Sequence, residues 1–155
     1  MLPVELEQYM HKSIPLSRAM AVSVVAVTDG AVTLQAPLEP NINHRETVFG
    51  GSASALAILA GWSLLDVRLR AAGIANRLVI RRNTMEYQQP IPGEFTARAS
   101  LEHPARWQQF TDMLLRKGKA RVTVTSVLEH AGQVVGRFTG EFVALGAAAK
   151  GSDRV

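Results

Sequence analysis

Thr47-Val48-Phe49-Gly50-Gly51-Ser52-Ala53-Ser54-Ala55-Leu56-Ala57-Ile58-Leu59-Ala60-Gly61-Trp62-Ser63-Leu64-Leu65 decides how the rest of the chain is read. It opens on a glycine pair, passes through small residues and becomes apolar on every side. A helix that is hydrophobic all round has no solvent face and is expected to be buried on all sides. From Ser52 to about Leu69 it would run roughly 25 Å, about the width of a small domain. Most of the remaining chain reads as strands. The expected class is α+β, a mostly antiparallel sheet of about six strands wrapped round one long central helix.

Upstream, Leu2, Leu6, Tyr9 and Met10 recur at helical spacing, with Glu5, Glu7 and Gln8 between them. This predicts a short amphipathic helix over 3–13, with Pro3 in its first turn and Pro15 helping to stop it. The valine-rich run 18–28 predicts a strand, Asp29-Gly30 a hairpin turn, and Ala31 to Ala36 the returning strand. Pro37 and Pro40 end regular structure. Asn41 to Thr47 is then a polar loop feeding the glycine pair.

Downstream, the helix turns amphipathic near Ser63, with Asp66, Arg68 and Arg70 expected to face out and Gly73 to cap the C-terminus. Strands are expected at 77–89, 94–102, 120–129 and 134–145. The second of these alternates Phe95, Ala97, Ala99 and Leu101 against polar residues. Pro90 to Gly93 and His130 to Gln133 are turns. Residues 103–119 carry Trp107, Phe110, Met113 and Leu114 at helical spacing, a helical or irregular insertion. One domain over 1–145 is expected, with 146–155 a frayed tail.

The 155 residues hold no cysteine, so disulfides, thiolate metal sites and cysteine nucleophiles are excluded. This suits a reducing compartment, and the expected location is the cytoplasm. The net charge of +4 comes from scattered basic residues without interleaved aromatics, which points away from nucleic acid and suits the phosphates of an acyl carrier. Val48 to Leu65 is 18 uncharged residues, but six are Gly or Ser, so no membrane span is expected.

The glycine-rich helix start is the main chemical feature. Glycines let backbone approach a ligand, and the first N–H groups of a helix have no intrahelical partner at its positive end. Such donors can polarise a thioester carbonyl and stabilise the oxyanion formed on attack. The alternative is a tight turn with Ser52 as N-cap. Asn41, Asn43, His44, Glu46 and Thr47 flank this start. Asn43 is a candidate for orienting water, and His44 and Glu46 for general base. Ser52 and Ser54 do not form a G-x-S-x-G elbow and suit capping or close packing better than nucleophilic attack. Asp66 lies about four turns along the helix, as a surface charge or a catalytic carboxylate. The four histidines lack metal-ligand spacing, so no metal is expected. Trp62 and Tyr87 are core, interface or acyl-tunnel residues.

The run Asn43-x-x-x-Thr47-x-Phe49-Gly50-Gly51-Ser52, the helix ending Ala60-Gly61-Trp62, the strand Leu78-Val79-Ile80 and Tyr87-x-x-Pro90-Ile91-x-Gly93-Glu94-Phe95 together resemble a hot-dog fold protein. The likeness covers about 10–145. It is to the thioesterase branch found both alone and fused behind acetyltransferase domains. The resemblance implies hydrolysis of acyl thioesters carried by CoA or acyl carrier protein, with no metal or redox cofactor. It implies a homodimer or dimer of dimers, with sites between the central helix of one subunit and elements of the other. Asn43 and the Gly51 and Ser52 backbone would lie at the thioester. Thr47, Phe49, Gly50, Trp62 and Tyr87 are the expected substrate contacts, and basic residues near Arg81, Arg82 and Arg116 would meet the carrier phosphates. One departure stands out. Many such enzymes carry a histidine before the glycine pair and an acid two turns into the helix, where this chain has Phe49 and Ile58.

Two functions from different classes follow. The first is an acyl-thioesterase whose water is activated by His44, Glu46, Ser54 or Asp66. The second is a non-catalytic acyl-CoA or lipid binder, favoured by Ile58. A dehydratase or hydratase needs a placed His and Asp pair and ranks last.

Overall fold

The computed structural model describes residues 1–146. Six strands form one antiparallel sheet: β1 (Ser23–Val27), β2 (Val32–Ala36), β3 (Asn76–Tyr87), β4 (Phe95–Leu101), β5 (Lys119–His130) and β6 (Gln133–Gly146), in the order β1-β2-β4-β5-β6-β3. Helix α3 (Gly50–Ala71) lies against one face of that sheet. The expected strand alternation holds in β4, where Phe95, Ala97, Ala99 and Leu101 are buried. On that inner face Leu34, Val124, Leu128, Phe138 and Phe142 join Leu56, Ala57, Ala60 and Leu64 of α3 in the main core.

The small residues of α3 are what let it sit close. A Cβ on Gly61 would stand 3.0 Å from the Phe142 ring and 3.3 Å from Val124. Ser126 of β5 donates to the Ala57 carbonyl at 3.0 Å, stitching helix to sheet inside the core. The helix ends as its glycine predicted. Gly73 adopts φ +70, its N–H reaches the Arg70 carbonyl, and Ile74 N–H reaches that of Leu69. This paired closure satisfies carbonyls the last turn would leave bare.

α3 is not buried on all sides. Eleven of its 22 residues are buried, while Ser54, Ala55, Ile58 and Trp62 form a half-buried stripe. The sheet curls round the helix and leaves this flank to the chain's first helix, α1 (Pro3–Ser13), which covers only its far end, where Tyr9 stacks on Trp62 at 5.8 Å. By length and composition α3 could cross a membrane, but here it is the helix of the core.

Two further expectations change, and a third is narrowed to one of its alternatives. The strand expected from residue 18 begins at Ser23, because Pro15 starts a second helix, α2 (Pro15–Ala19), as well as following the first. Ser17 supports that turn by donating to the Ile14 carbonyl at 2.7 Å. Asp66 does not face out: it is 7% exposed. The insertion after β4 is helix α4 (Trp107–Lys117), whose Phe110 and Leu114 plug the end of the core against Leu69, Ala120 and Ala144. Gly146 closes β6, and the rest of the expected tail lies outside the described residues.

Candidate active site

The loop before α3 is built by asparagines. Asn41 is buried, and its amide donates to the carbonyls of Met20 and Pro37 at 3.0 and 2.8 Å. Its own carbonyl accepts Phe49 N–H at 2.7 Å, which fixes the point where the helix begins. Asn43 closes the tip. Its Oδ1 accepts the N–H groups of Arg45 and Thr47 at 2.8 and 3.1 Å, and its Nδ2 donates to Thr47 Oγ1 at 2.9 Å. This is the side-chain-to-backbone turn that short amides favour. The Asn43 side chain is thus occupied in shaping the loop.

Between those contacts the chain turns tightly, and Glu46 takes φ +61. A residue with a Cβ pays roughly 1–2 kcal/mol for that conformation. Glu46 and His44 are exposed on the tip. Glu46 is the one carboxylate between residues 41 and 58.

The helix start itself differs from the sequence reading in one respect. The N-cap is Phe49, with no side-chain cap, and Gly50, Gly51 and Ser52 are the first three helical residues. Ser52 therefore does not cap. Its N–H already donates to the Phe49 carbonyl at 2.9 Å, as does that of Ala53 at 3.1 Å. The N–H groups left without an acceptor among the described residues are those of Gly50 and Gly51. The expected donor pair thus moves one residue earlier, because the first turn tightens onto Phe49.

Both glycines have a packing reason. A Cβ on Gly51 would lie 2.4 Å from the Phe49 ring, and one on Gly50 would lie 3.4 Å from Tyr87. Tyr87 also donates its hydroxyl to the Gly50 carbonyl at 3.3 Å. Phe49 and Tyr87 remain 58% and 59% exposed, an aromatic pair flanking open donors. Beside them lies a cavity of about 290 Å³ lined by Val48, Ala53, Met85, Tyr87, Pro90, Ile91 and Val135, with Gln88 and Gln89. Apart from Tyr87, none of its lining was anticipated. The only sequence signal was the turn at Pro90 to Gly93, whose Ile91 carbonyl accepts Val48 N–H at 2.9 Å and ties the cavity to the loop.

The structure thus gathers Asn43, Thr47, Phe49, Gly50, Gly51, Ser52 and Tyr87, with His44 and Glu46 on the adjoining tip and Ser54 one turn into α3. It leaves four candidates elsewhere. Asp66 is 16 residues along the helix, about 24 Å from Gly50, and bonded to Arg70 at 2.8 Å. Trp62 is about 18 Å along, under Tyr9. Arg81 and Arg82 pair with Glu141 at 3.4 and 3.9 Å, away from the helix start. Ile58 packs against the core and brings no acid.

The comparisons with known proteins agree with this architecture. A structure described as "the putative thioesterase from Shewanella oneidensis" matches 92% of this chain and 96% of its own at 26% identity, with a TM-score of 0.81. A Chlorobaculum tepidum TLS protein described as of unknown function matches 93% and 94% at 27% identity, TM-score 0.85. A thioesterase from Haemophilus influenzae, 12% identical, shares the fold over 98% of this chain and 96% of its own, TM-score 0.79. The architecture is the hot-dog fold. A family model described as "Putative thioesterase (yiiD_Cterm)" matches residues 4–146, and the chain belongs to that family.

Proposed function

We propose that this protein hydrolyses acyl thioesters carried by CoA or an acyl carrier protein, with the carbonyl polarised by the N–H groups of Gly50 and Gly51. Membership of the family and the thioesterase neighbours support thioester hydrolysis as the activity. The single observation that carries the site is the pair of acceptor-free donors at the positive end of α3, beside an apolar cavity. A thioester carbonyl placed there gains stabilisation as its oxygen becomes an oxyanion. Water attacks the carbonyl carbon, a base takes its proton, and the thiolate leaves to be protonated. Glu46 is the proposed base, His44 the alternative, both at the tip fixed by Asn43. Strain held by a tightly bonded loop is a common mark of a functional position.

A second copy completes the site in this reading. β3 offers a free edge along its 12 residues, with Val79, Phe49 and Tyr87 exposed nearby and the half-buried stripe of α3 beside them. Long free edges pair readily with another chain. The reading takes the protein as a homodimer or dimer of dimers in the cytoplasm that needs no metal or redox cofactor.

The test is release of free CoA from acyl-CoA esters of graded length, repeated with acyl carrier thioesters. Turnover that falls in Gly50→Pro supports the reading. No hydrolysis of any thioester overturns it. Ile58, in place of the helix acid, favours the second reading, an acyl-CoA or lipid binder. Thermal stabilisation by acyl-CoA without turnover would select it.

A further inference from the structure

The cavity beside the helix start has a floor. Met85 and Tyr87 lie two residues apart on β3, so they share a face. Across the ladder to β6, Gly136 stands opposite Tyr87 and buried Phe138 opposite Met85. Phe138 belongs to the core with α3, so this is the face turned to the helix. Gly136 has no side chain to fill its place, and the Met85 methyl takes it. A Cβ on Gly136 would stand 2.8 Å from Met85 Cε and 3.7 Å from Leu128 Cβ. Behind that methyl the space is closed, because Leu128 and Phe138 are buried and Met85 packs against their core.

The walls are apolar and come from distant parts of the chain: Val48 before α3, Ala53 in its first turn, Pro90 and Ile91 after β3, and Val135 of β6. Tyr87 belongs to two places. It lines the cavity, and its hydroxyl meets the Gly50 carbonyl at 3.3 Å, beside the open donors. The remaining lining, Gln88 and Gln89, is exposed, and their N–H groups both reach the Val135 carbonyl, at 3.0 and 3.1 Å. Backbone bonds thus hold the rim. Val135 lies eleven residues from Gly146 along β6, about 36 Å of extended strand, so the cavity is at the far end of the sheet from the last described residue.

We propose that this cavity measures the acyl chain, with Met85 as the stop, so that the substrates are thioesters of short to medium unbranched chains. The inference rests on the proposed hydrolysis and adds its substrate class. From Tyr87, beside the donors, to Met85 is roughly 7 Å along β3. An extended chain advances about 1.2 Å per bond, which leaves room for about six carbons. The volume of about 290 Å³ sets the upper limit, roughly nine methylenes if each takes the ~30 Å³ of a water. Together these limits give a chain of about four to eight carbons. Apart from Tyr87, Gln88 and Gln89, the lining has no polar side chain, so a chain ending in a carboxylate would be buried there without a partner. Methionine suits the stop, being apolar and able to fill an irregular gap.

The experiment measures kcat/KM of the full chain on unbranched acyl-CoA esters from acetyl to palmitoyl. Each value is taken as a ratio to acetyl-CoA in the same variant, which cancels any general loss of activity. Wild type should peak between butyryl and octanoyl and fall about tenfold or more by dodecanoyl. Met85→Ala, which strips the floor back to its Cβ, should move the peak about two or three carbons longer. Met85→Val loses less, suits a strand, and should move it about one or two carbons longer, so the test stands even where Met85→Ala fails to fold. Thermal unfolding reports whether each variant is folded. A flat wild-type profile, or a peak outside butyryl to octanoyl, overturns the proposal. So does a peak that stays in place in the folded Met85 variants. If no ester is hydrolysed, the proposed activity fails by itself. The same esters, read by how far each stabilises the protein on thermal unfolding, then test the cavity by the same length criteria.

Discussion

The side chain of Asn43 holds Thr47 from both of its polar ends. Oδ1 accepts Thr47 N–H at 3.1 Å, and Nδ2 donates to Thr47 Oγ1 at 2.9 Å. An asparagine so engaged positions the loop rather than the substrate. Asn43→Ala should lower unfolding free energy by about 1–2 kcal/mol, as bonds to a constrained turn are lost. Thr47→Ala removes one of the same bonds, so a double-mutant cycle should give a coupling of about 0.5–1 kcal/mol. Turnover of Asn43→Ala should fall with the tip displaced, and Asn43→Asp, which keeps the Oδ1 bonds, should retain more. Wild-type kinetics in Asn43→Ala would remove this loop from the site.

Gly50→Pro deletes one backbone donor with little else. Proline is favoured at the first helical position, and Phe49 before it has φ −58 and ψ 133, a conformation that tolerates a following proline. The nearest atom to an added Cβ would be on Tyr87 at 3.4 Å, ordinary contact. Thermal unfolding should stay near wild type while kcat drops about 10²–10³-fold, the usual loss for one oxyanion donor. An unchanged kcat would place the carbonyl elsewhere.

Glu46→Gly should separate stability from activity. Glycine relieves the cost of φ +61 but has a more flexible unfolded state, leaving a gain of about 0.5–1 kcal/mol. Denaturant titration reads that gain, and thioester turnover should fall because the carboxylate is gone. Glu46→Gln keeps the strain and should lose activity alone. If Glu46→Gln is fully active, His44→Asn becomes the variant that must fail.

Asp66 and Arg70 form a structural clasp. Arg70 bonds Asp66 at 2.8 Å and lies over the Tyr9 ring at 4.2 Å, while Tyr9 stacks on Trp62. Arg70→Ala leaves the buried carboxylate unpaired and should cost about 1–3 kcal/mol, with kcat unaltered. The hydrogen bond to Asp66 raises the Arg70 pKa above its ordinary value. A group raised on folding stabilises below its unfolded pKa and loses that contribution only as pH rises through the folded one. Titration of Arg70 therefore adds no pH dependence across the neutral range, which thermal melts in that range would check. Loss of turnover in Asp66→Asn with an intact fold would return Asp66 to the catalytic list.

Periodicity made the strands and α3 legible because each element answers to its own neighbours along the chain. Alternation set β4, and Gly73 set the end of α3. The α2 turn was missed because Pro15 ends one helix and begins another, a choice settled by Ser17 bonding back to Ile14.

The sequence by itself determined that a small-residue helix with a glycine start would be the centre of an antiparallel sheet. Gly50, Gly51 and Gly61 are needed wherever aromatic rings press on that helix, and the chain carries them. Only the tertiary structure decided which groups at the helix start remain open. Ser52 N–H turns inward to Phe49, Asn43 is consumed by Thr47, and Asp66 lies under Arg70. Each outcome depends on which distant donor meets which acceptor, and hydrogen bonds are allotted in space rather than along the chain.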